Sequence, residues 1–256
     1  MPNIYNEKAL EKLEEDEHSI TVETLVLLYA IMTDARYNIE NELRSFYQKY
    51  GKDGVVTYAE ARKWISSKDR RKRLNVLLLA LCAPFDFSHI KLKSEFHTML
   101  QKIVKLECEY FGIDLDWDDL SLRWGFDKLS WEDRLLKDVL KWNSTIMTDV
   151  KRGILQRKHL NDILADVEKR FKSIEYTLES LSVSETTAVG SIARHEILKE
   201  LGIDKYKFYT REDERTCEVC GSMHGLVFPM SAYEVGVTAS PMHPRCRCWE
   251  VPIKSE

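Results

Sequence analysis

The stretch RTCEVCGSMHG, residues Arg215–Gly225, and the stretch MHPRCRC, residues Met242–Cys248, hold four of the six cysteines and two of the seven histidines in the sequence. The C-x-x-C spacing allows two thiolates from one tight turn to bind the same metal ion. A structural zinc ion takes four sulfur or nitrogen ligands, and two short clusters joined by a connecting stretch can supply them. The sequence therefore predicts a C-terminal module that is stapled by zinc.

Five residues are good candidates for the four ligand positions. They are Cys217, Cys220, His243, Cys246 and Cys248. His224 is a weaker sixth candidate because it lies in a turn beside Gly225. Three alternatives stay open. The cysteines could form disulfides, although a cytoplasmic origin disfavours them. They could be a redox pair, although that needs a strand-to-helix junction. They could also be free thiols packed in a small core.

The chain before Gly202 has the pattern of an almost entirely helical protein. From Thr21 to Tyr50 apolar residues recur three, four or seven positions apart, which predicts a long amphipathic helix with Thr21 as its N-cap. A second helix is expected to end at Pro84, because proline interrupts the hydrogen-bond ladder of a helix. Further helices are predicted from Lys91 to Phe111, from Trp131 to Leu155 behind a capping pair of Ser130 and Asp133, from about 160 to 173 and from about 184 to 201.

After Gly202 the pattern changes to short alternating segments. KYKFYTRE, GLVFPM and CRCWEVPI are typical of strands, so we expect a small sheet with the cysteine segments on its turns. The predicted fold class is mainly α, a long helical body with a small C-terminal α+β module. We expect three parts: an N-terminal helical region at 1–125, a central helical region at 126–183 and the C-terminal module at 184–256.

Composition excludes several classes of protein. The chain has 256 residues, 44% of them hydrophobic, and a net charge of -4, which indicates a globular protein without an overall attraction for polyanions. The polar, acidic N-terminus does not resemble a secretory signal, so we expect synthesis in a cytoplasm. The longest apolar run, Val76–Phe85, has about half the length of a membrane span. Cys82 and Cys108 lie apart from the other cysteines and are expected to act as small hydrophobic residues.

A basic cluster and the cysteines are also compatible with other functions. Residues Arg62–Asn75 contain seven Lys or Arg residues and one Asp, which could contact phosphates or form the solvated face of a helix. Cysteine, histidine and aspartate can also form a nucleophilic site. However, the sequence has no glycine-rich phosphate loop, no H-E-x-x-H and no G-x-S-x-G motif. We therefore expect no catalytic residues, no cofactor-binding residues other than metal ligands, and no enzymatic activity.

The C-terminal part resembles the phage Mu F-like minor head proteins, also called phage head morphogenesis proteins. The shared order is a helix with T-A-V-G-S-I-A-R-H-E, a strand, D-E-R-T-C-E-V-C, H-G-L-V-F and H-P-R-C-R-C. The resemblance is strong from about Thr187 onward and looser upstream. By this resemblance, the signature positions of the family are Cys217, Cys220, His243, Cys246 and Cys248. The resemblance does not itself identify a metal.

The resemblance implies a minor structural protein of a tailed bacteriophage or prophage. Such a protein is made in the bacterial host cytoplasm and lies inside the capsid of the virion, associated with the portal vertex, where it acts in procapsid assembly and in DNA packaging or ejection. Its implied partners are the portal protein and capsid or scaffold proteins, with weak DNA contact left open, and without a membrane or a small-molecule substrate. We expect the chain to be without the long C-terminal extension on which some relatives carry a toxin or transferase domain.

Two alternatives come from other functional classes. One is a zinc-dependent nuclease or toxin-associated module in which His243 or His224 acts as a base. The other is a nucleic-acid-binding zinc protein that contacts phosphates through residues Arg62 to Arg73.

Overall fold

The computed structural model describes residues 4–57, 68–125 and 127–253, and of residues 68–75 it describes the backbone alone. Within these residues the protein is 68% helical with five helices. The helices are α1 (Glu7–Tyr50), α2 (Lys68–Phe111), α3 (Trp131–Leu155), α4 (Leu160–Glu200) and the short α5 (Glu218–Met223). The prediction of a mainly α protein is confirmed.

The strands are short, and the largest sheet is in the C-terminal part. Two small hairpins pair β1 (Gly51–Lys52) with β2 (Val55–Val56) and β3 (Arg123–Trp124) with β4 (Leu129–Ser130). A three-stranded antiparallel sheet has the order β6-β5-β7, formed by β5 (Lys205–Tyr209), β6 (Val227–Pro229) and β7 (Trp249–Ile253). Tyr206 in the central strand is paired with Phe228 and Pro252. The predicted C-terminal α+β module is confirmed.

The long helices continue through the positions where the sequence predicted breaks. Thr21 is not an N-cap, because α1 begins at Glu7 and the Thr21 hydroxyl donates to the carbonyl oxygen of Glu17 at 3.0 Å. Pro84 lies inside α2 and does not end it. The buried residues Leu77, Leu81, Phe85, Leu92 and Phe96 follow one another at helical spacing, so packing of this face outweighs the hydrogen bond that proline removes.

Helix α4 joins the two helices that were predicted around residues 160–173 and 184–201.

By contrast, the start of α3 is as predicted. The amide of Asp133 donates to the hydroxyl oxygen of Ser130 at 3.2 Å, and the Ser130 amide donates back to the Asp133 carboxylate at 3.2 Å. This reciprocal pair is a capping box, which satisfies amides that the first helical turn leaves unpaired.

The chain forms two compact units, and each is assembled from separate segments. Unit 1 contains Met1–Val26, Glu95–Arg134 and Glu179–Glu256, and unit 2 contains Leu27–Ser94 and Leu135–Leu178. Unit 1 holds the three-stranded sheet and α5. In unit 2, the rings of Phe85 and Phe171 stack with centroids 6.0 Å apart. The sequence predicted three contiguous parts from changes of composition along the chain. That division stays a prediction.

Two further expectations concern surfaces. The side chains of the basic cluster Arg62–Asn75 lie outside the residues that the structure describes. Across the described ranges, none of the helices is long and apolar enough to cross a membrane.

Candidate metal centre

The first pair of candidate ligands lies at the start of α5, between β5 and β6. Cys217 is the N-cap of this helix, and its sulfur accepts a hydrogen bond from the Cys220 amide at 3.4 Å. That hydrogen bond lowers the pKa of the Cys217 thiol. The chain leaves α5 through Gly225, whose φ of +77° favours glycine. The Gly225 amide then donates to the Phe208 carbonyl at 2.8 Å, which brings α5 back onto the sheet.

The second group of candidate ligands lies on the loop that precedes β7. The Cys246 amide donates to the carbonyl of His243 at 3.1 Å, which folds this loop into a tight turn. Helix α4 supports the turn, because the Ser184 hydroxyl accepts from the Arg245 amide at 3.1 Å and the Thr187 hydroxyl donates to the Cys246 carbonyl at 3.4 Å. The ligand segment is therefore positioned by backbone contacts to a long helix.

The structure brings all five predicted ligands into two groups that share one residue. Cys217, Cys220 and His243 form one group, and Cys220, Cys246 and Cys248 form the other, with the potential ligand atoms of each group within 4.8 Å of one another. Cys220, Cys246 and Cys248 are almost completely buried and pack against Phe208. Cys220 is thus the central residue of the cluster.

The distances in the cluster fit a tetrahedral metal ion. The sulfur of Cys220 lies 3.4 Å from Nε2 of His243 and 3.8 Å from the sulfur of Cys246. With Zn–S near 2.3 Å and Zn–N near 2.0–2.1 Å, tetrahedral ligand atoms lie about 3.5–3.8 Å apart. Nδ1 of His243 is 2.9 Å from the Pro244 carbonyl oxygen. A proton on Nδ1 would donate there and leave Nε2 as the metal-binding nitrogen.

The protonation of the buried thiols also favours a cation. Hydrogen bonds from Cys220 and Cys248 lower the pKa of the Cys246 thiol, and these contacts together with burial raise the pKa of Cys220 and Cys248. Burial acts to lower the pKa of His243, but the Pro244 carbonyl and Cys246 outweigh it, so that this pKa is raised. The protein groups alone therefore favour one thiolate held by neighbouring thiols. A divalent cation would stabilise further thiolates.

An ion pair that sequence analysis missed joins the two ligand segments. The guanidinium of Arg247 donates two hydrogen bonds to the carboxylate of Asp213, at 2.6 and 2.7 Å. This contact holds the pKa of Asp213 well below its usual range. Asp213 precedes the C-x-x-C pair and Arg247 lies between Cys246 and Cys248, so both were present in the quoted signature. Their spacing in the sequence gave no sign that they pair.

The weaker candidate His224 and the two other cysteines lie outside these groups. Nδ1 of His224 accepts a hydrogen bond from the Thr210 amide at 3.3 Å, and its Nε2 lies 3.5 Å from Glu212. His224 therefore helps to connect the end of α5 to β5. All six cysteines are free of disulfide bonds, and Cys108 is buried in α2 while Cys82 is partly buried in the same helix.

A second polar cluster, also in unit 1, was not predicted at all. Arg194 of α4 is 1% exposed and donates to Glu107 of α2 through Nε and Nη2, and to Glu14 of α1 at 2.8 Å. Glu250 of β7 lies 4.0 Å from the same guanidinium. Glu17 of α1 is 2% exposed and completes the set of four carboxylates. Arg194 is part of the A-R-H-E sequence quoted above, but its partners are far from it in the chain.

The fold and this site define a mainly helical protein with a small C-terminal α+β module built around a cysteine and histidine cluster that could hold a metal. The family model described as Phage Mu protein F like protein matches residues 144–251. This match shows that residues 144–251 are similar to phage Mu F-like proteins, and it supports the resemblance seen in the sequence. The family suggests a phage head morphogenesis protein that interacts with other capsid components. No curated protein and no solved structure was found to match the chain.

Proposed function

We propose that this chain is a minor structural protein of a tailed bacteriophage or prophage, and that it is not an enzyme. It would lie inside the capsid of the virion at the portal vertex, contact the portal protein and capsid or scaffold proteins, and act in procapsid assembly and in DNA packaging or ejection. It would need neither a membrane nor a small-molecule substrate. The observation that carries this proposal is the family match over residues 144–251, which includes every residue of the candidate metal centre.

The C-terminal module would depend on a structural zinc ion. We propose that zinc is held by four of the five residues Cys217, Cys220, His243, Cys246 and Cys248, with Cys220 in the set because it belongs to both groups. A short three-stranded sheet and a helix of six residues bury a small apolar core. A structural zinc ion contributes folding free energy directly, so it would stabilise such a module.

The proposed location at the portal vertex can be tested on purified virions and procapsids. Antibody detection in purified virions and procapsids, combined with chemical crosslinking and mass spectrometry, should find this chain in both and crosslinked to the portal protein. Procapsids assembled without the portal are the matched control and should lack it. Absence from procapsids that contain the portal would contradict the proposal.

The metal is tested by elemental analysis of the full chain purified without added zinc. We expect one equivalent in the wild type. Five single variants change one candidate ligand each, the four cysteines to serine and His243 to asparagine. Four of them should lose zinc and one should keep it, and C220S must be among the four that lose it. Cys108→Ser is the control and should keep its zinc. Less than about half an equivalent in the wild type, with an intact fold in chelator, would favour free thiols or disulfides.

The division of the chain into 1–125, 126–183 and 184–256 is part of the same proposal. In this view the helical parts would contact the portal or the inner capsid wall, and the C-terminal part would be the zinc-stapled module. Crosslinks to the portal should then come mainly from residues 1–183, and a majority from the C-terminal part would contradict this assignment.

A further inference from the structure

The sequence R-C-R-C places one arginine on each side of Cys246, and the two arginines contact different parts of unit 1. The guanidinium of Arg245 donates to the carboxylate of Glu179 on α4 at 2.8 Å. The guanidinium of Arg247 donates instead to Asp213, which lies in the segment between β5 and α5. The loop that carries Cys246 is therefore held on one side by the long helix and on the other side by the segment that leads to the C-x-x-C pair.

Asp213 also organises the turn that leads into Cys217. Its carboxylate accepts hydrogen bonds from the Arg215 amide at 3.0 Å and from the Thr216 hydroxyl at 3.3 Å. The Thr216 amide donates to the Asp213 carbonyl at 2.9 Å, and the Asp213 amide donates to the Thr216 hydroxyl oxygen at 3.1 Å. Because Cys217 directly follows Thr216, these contacts fix the approach of the chain to the first candidate ligand.

The ion pair between Asp213 and Arg247 has a geometry that single ion pairs on protein surfaces often lack. Its side chains are 41% and 27% exposed, and an isolated pair at such exposure usually contributes little to stability. Here two N–H groups of one guanidinium meet both oxygens of one carboxylate, at 2.6 and 2.7 Å. The turn already orients the carboxylate, so that little conformational entropy is lost on pairing. The pair can therefore fix the distance between the two segments.

We propose that Asp213 and Arg247 are positioning residues of the candidate metal centre, and that their ion pair acts as a clamp between its two ligand segments. Arg247 lies directly between Cys246 and Cys248, so fixing its side chain restrains both neighbouring ligands. Residues that orient metal ligands typically change metal affinity 10–100-fold. The inference rests on the proposed zinc site, but it concerns how tightly zinc is held and not whether these ligands bind it.

Asp213→Asn tests the clamp and preserves the turn. The remaining side-chain oxygen can still accept from the Arg215 amide, whereas the new amide group carries no charge and cannot accept from the guanidinium. The zinc Kd of the full chain is measured by competition with a colorimetric chelator. We expect it to rise at least about tenfold, with faster zinc dissociation. Arg247→Lys should have a similar effect, because an ammonium group cannot make the two parallel hydrogen bonds.

Glu214→Gln is the matched control, because Glu214 is an exposed neighbour of Asp213 and loses the same charge near the metal. Its zinc Kd should stay within about twofold of the wild type. The double variant Asp213→Asn, Arg247→Lys should bind zinc as tightly as the weaker single variant, since both changes remove one interaction. The absorption bands of bound Co²⁺ should be the same in all variants, because the ligands themselves are unchanged.

Several results would overturn the clamp and leave the metal site intact. They are a wild-type zinc Kd in both single variants, a loss in Glu214→Gln as large as that in Asp213→Asn, additive losses in the double variant, or altered Co²⁺ bands. If Asp213→Asn fails to fold, Arg247→Lys provides the same test with its charge retained. A wild type that binds no zinc would instead contradict the metal proposal itself, and the clamp with it.

Discussion

Replacing Arg194 with methionine tests the buried ionic network most directly. Methionine has a similar length and keeps the apolar contacts of the stem, but it removes the cation that pairs with Glu14, Glu107 and Glu250. Glu107 is 0% exposed and would lose its donors from both Nε and Nη2 of the guanidinium. Since water cannot reach this carboxylate, nothing would replace them.

The size of the effect follows from this burial. Removing one partner of a buried ion pair costs about 3–5 kcal/mol, because the remaining charge stays buried and uncompensated. A domain is typically stable by about 5–15 kcal/mol, so Arg194→Met should remove a large fraction of the stability of unit 1. Part of the cost should be relieved at acidic pH, where protons neutralise the carboxylates.

The assay is urea unfolding followed by circular dichroism, with the midpoint and slope compared between variants. Lys199→Met is the matched control on the same helix, because Lys199 is 54% exposed, and it should change stability by less than about 0.5 kcal/mol. The double variant Arg194→Met, Glu107→Leu should recover at least half of the loss, since it removes the uncompensated charge as well. A loss below about 1 kcal/mol for Arg194→Met, or no recovery in the double variant, would refute the argument.

Three further outcomes are expected. Burial raises the pKa of Glu14 from its ordinary value of 4.5 to about 7. The folded state then binds more protons between these values, so this group should lower stability by roughly 3 kcal/mol as the pH rises from about 4.5 to above 7. Urea midpoints of Glu14→Gln should fall less steeply with pH than those of the wild type, because Glu17 and Glu250, whose pKa values burial also raises, still titrate. Phe171→Ala, at a 1% exposed position of unit 2, should lower the free energy of unfolding by about 3–5 kcal/mol and leave the zinc content unchanged; an equal loss of zinc would contradict it. Ser130→Ala should cost about 1 kcal/mol in thermal or urea unfolding because it removes the cap of α3, and a neutral result would show that the capping box contributes nothing.

Local features of this fold could be predicted from the sequence because their causes are local. The capping box at Ser130 and Asp133 spans four residues, and the strands alternate within five. The candidate metal ligands were identifiable for the same reason, because all five lie between positions 217 and 248. The breaks expected at Thr21 and Pro84 were wrong, since continuous burial of one helix face outweighed the local preference.

The ionic contacts could not be predicted, because their partners are distant in sequence. Arg194 is 87 residues from Glu107 and 180 residues from Glu14. Arg247 is 34 residues from Asp213. Periodicity and motif spacing carry no information about which charges meet across such separations. In the sequence, Glu14 and Glu17 look like ordinary surface residues of an acidic helix.

The buried network also bears on what the matched family region needs in order to fold. Arg194 and Glu250 lie inside residues 144–251, whereas Glu14 and Glu107 lie outside that region. All four belong to unit 1, so the guanidinium inside the matched region is neutralised by carboxylates from α1 and α2. Without those helices Arg194 would keep, among the ion-pair partners in the described residues, the more distant Glu250 alone. The boundaries of the matched region are therefore not the boundaries of a compact unit, and α1 and α2 contribute carboxylates to the unit that holds the candidate metal centre.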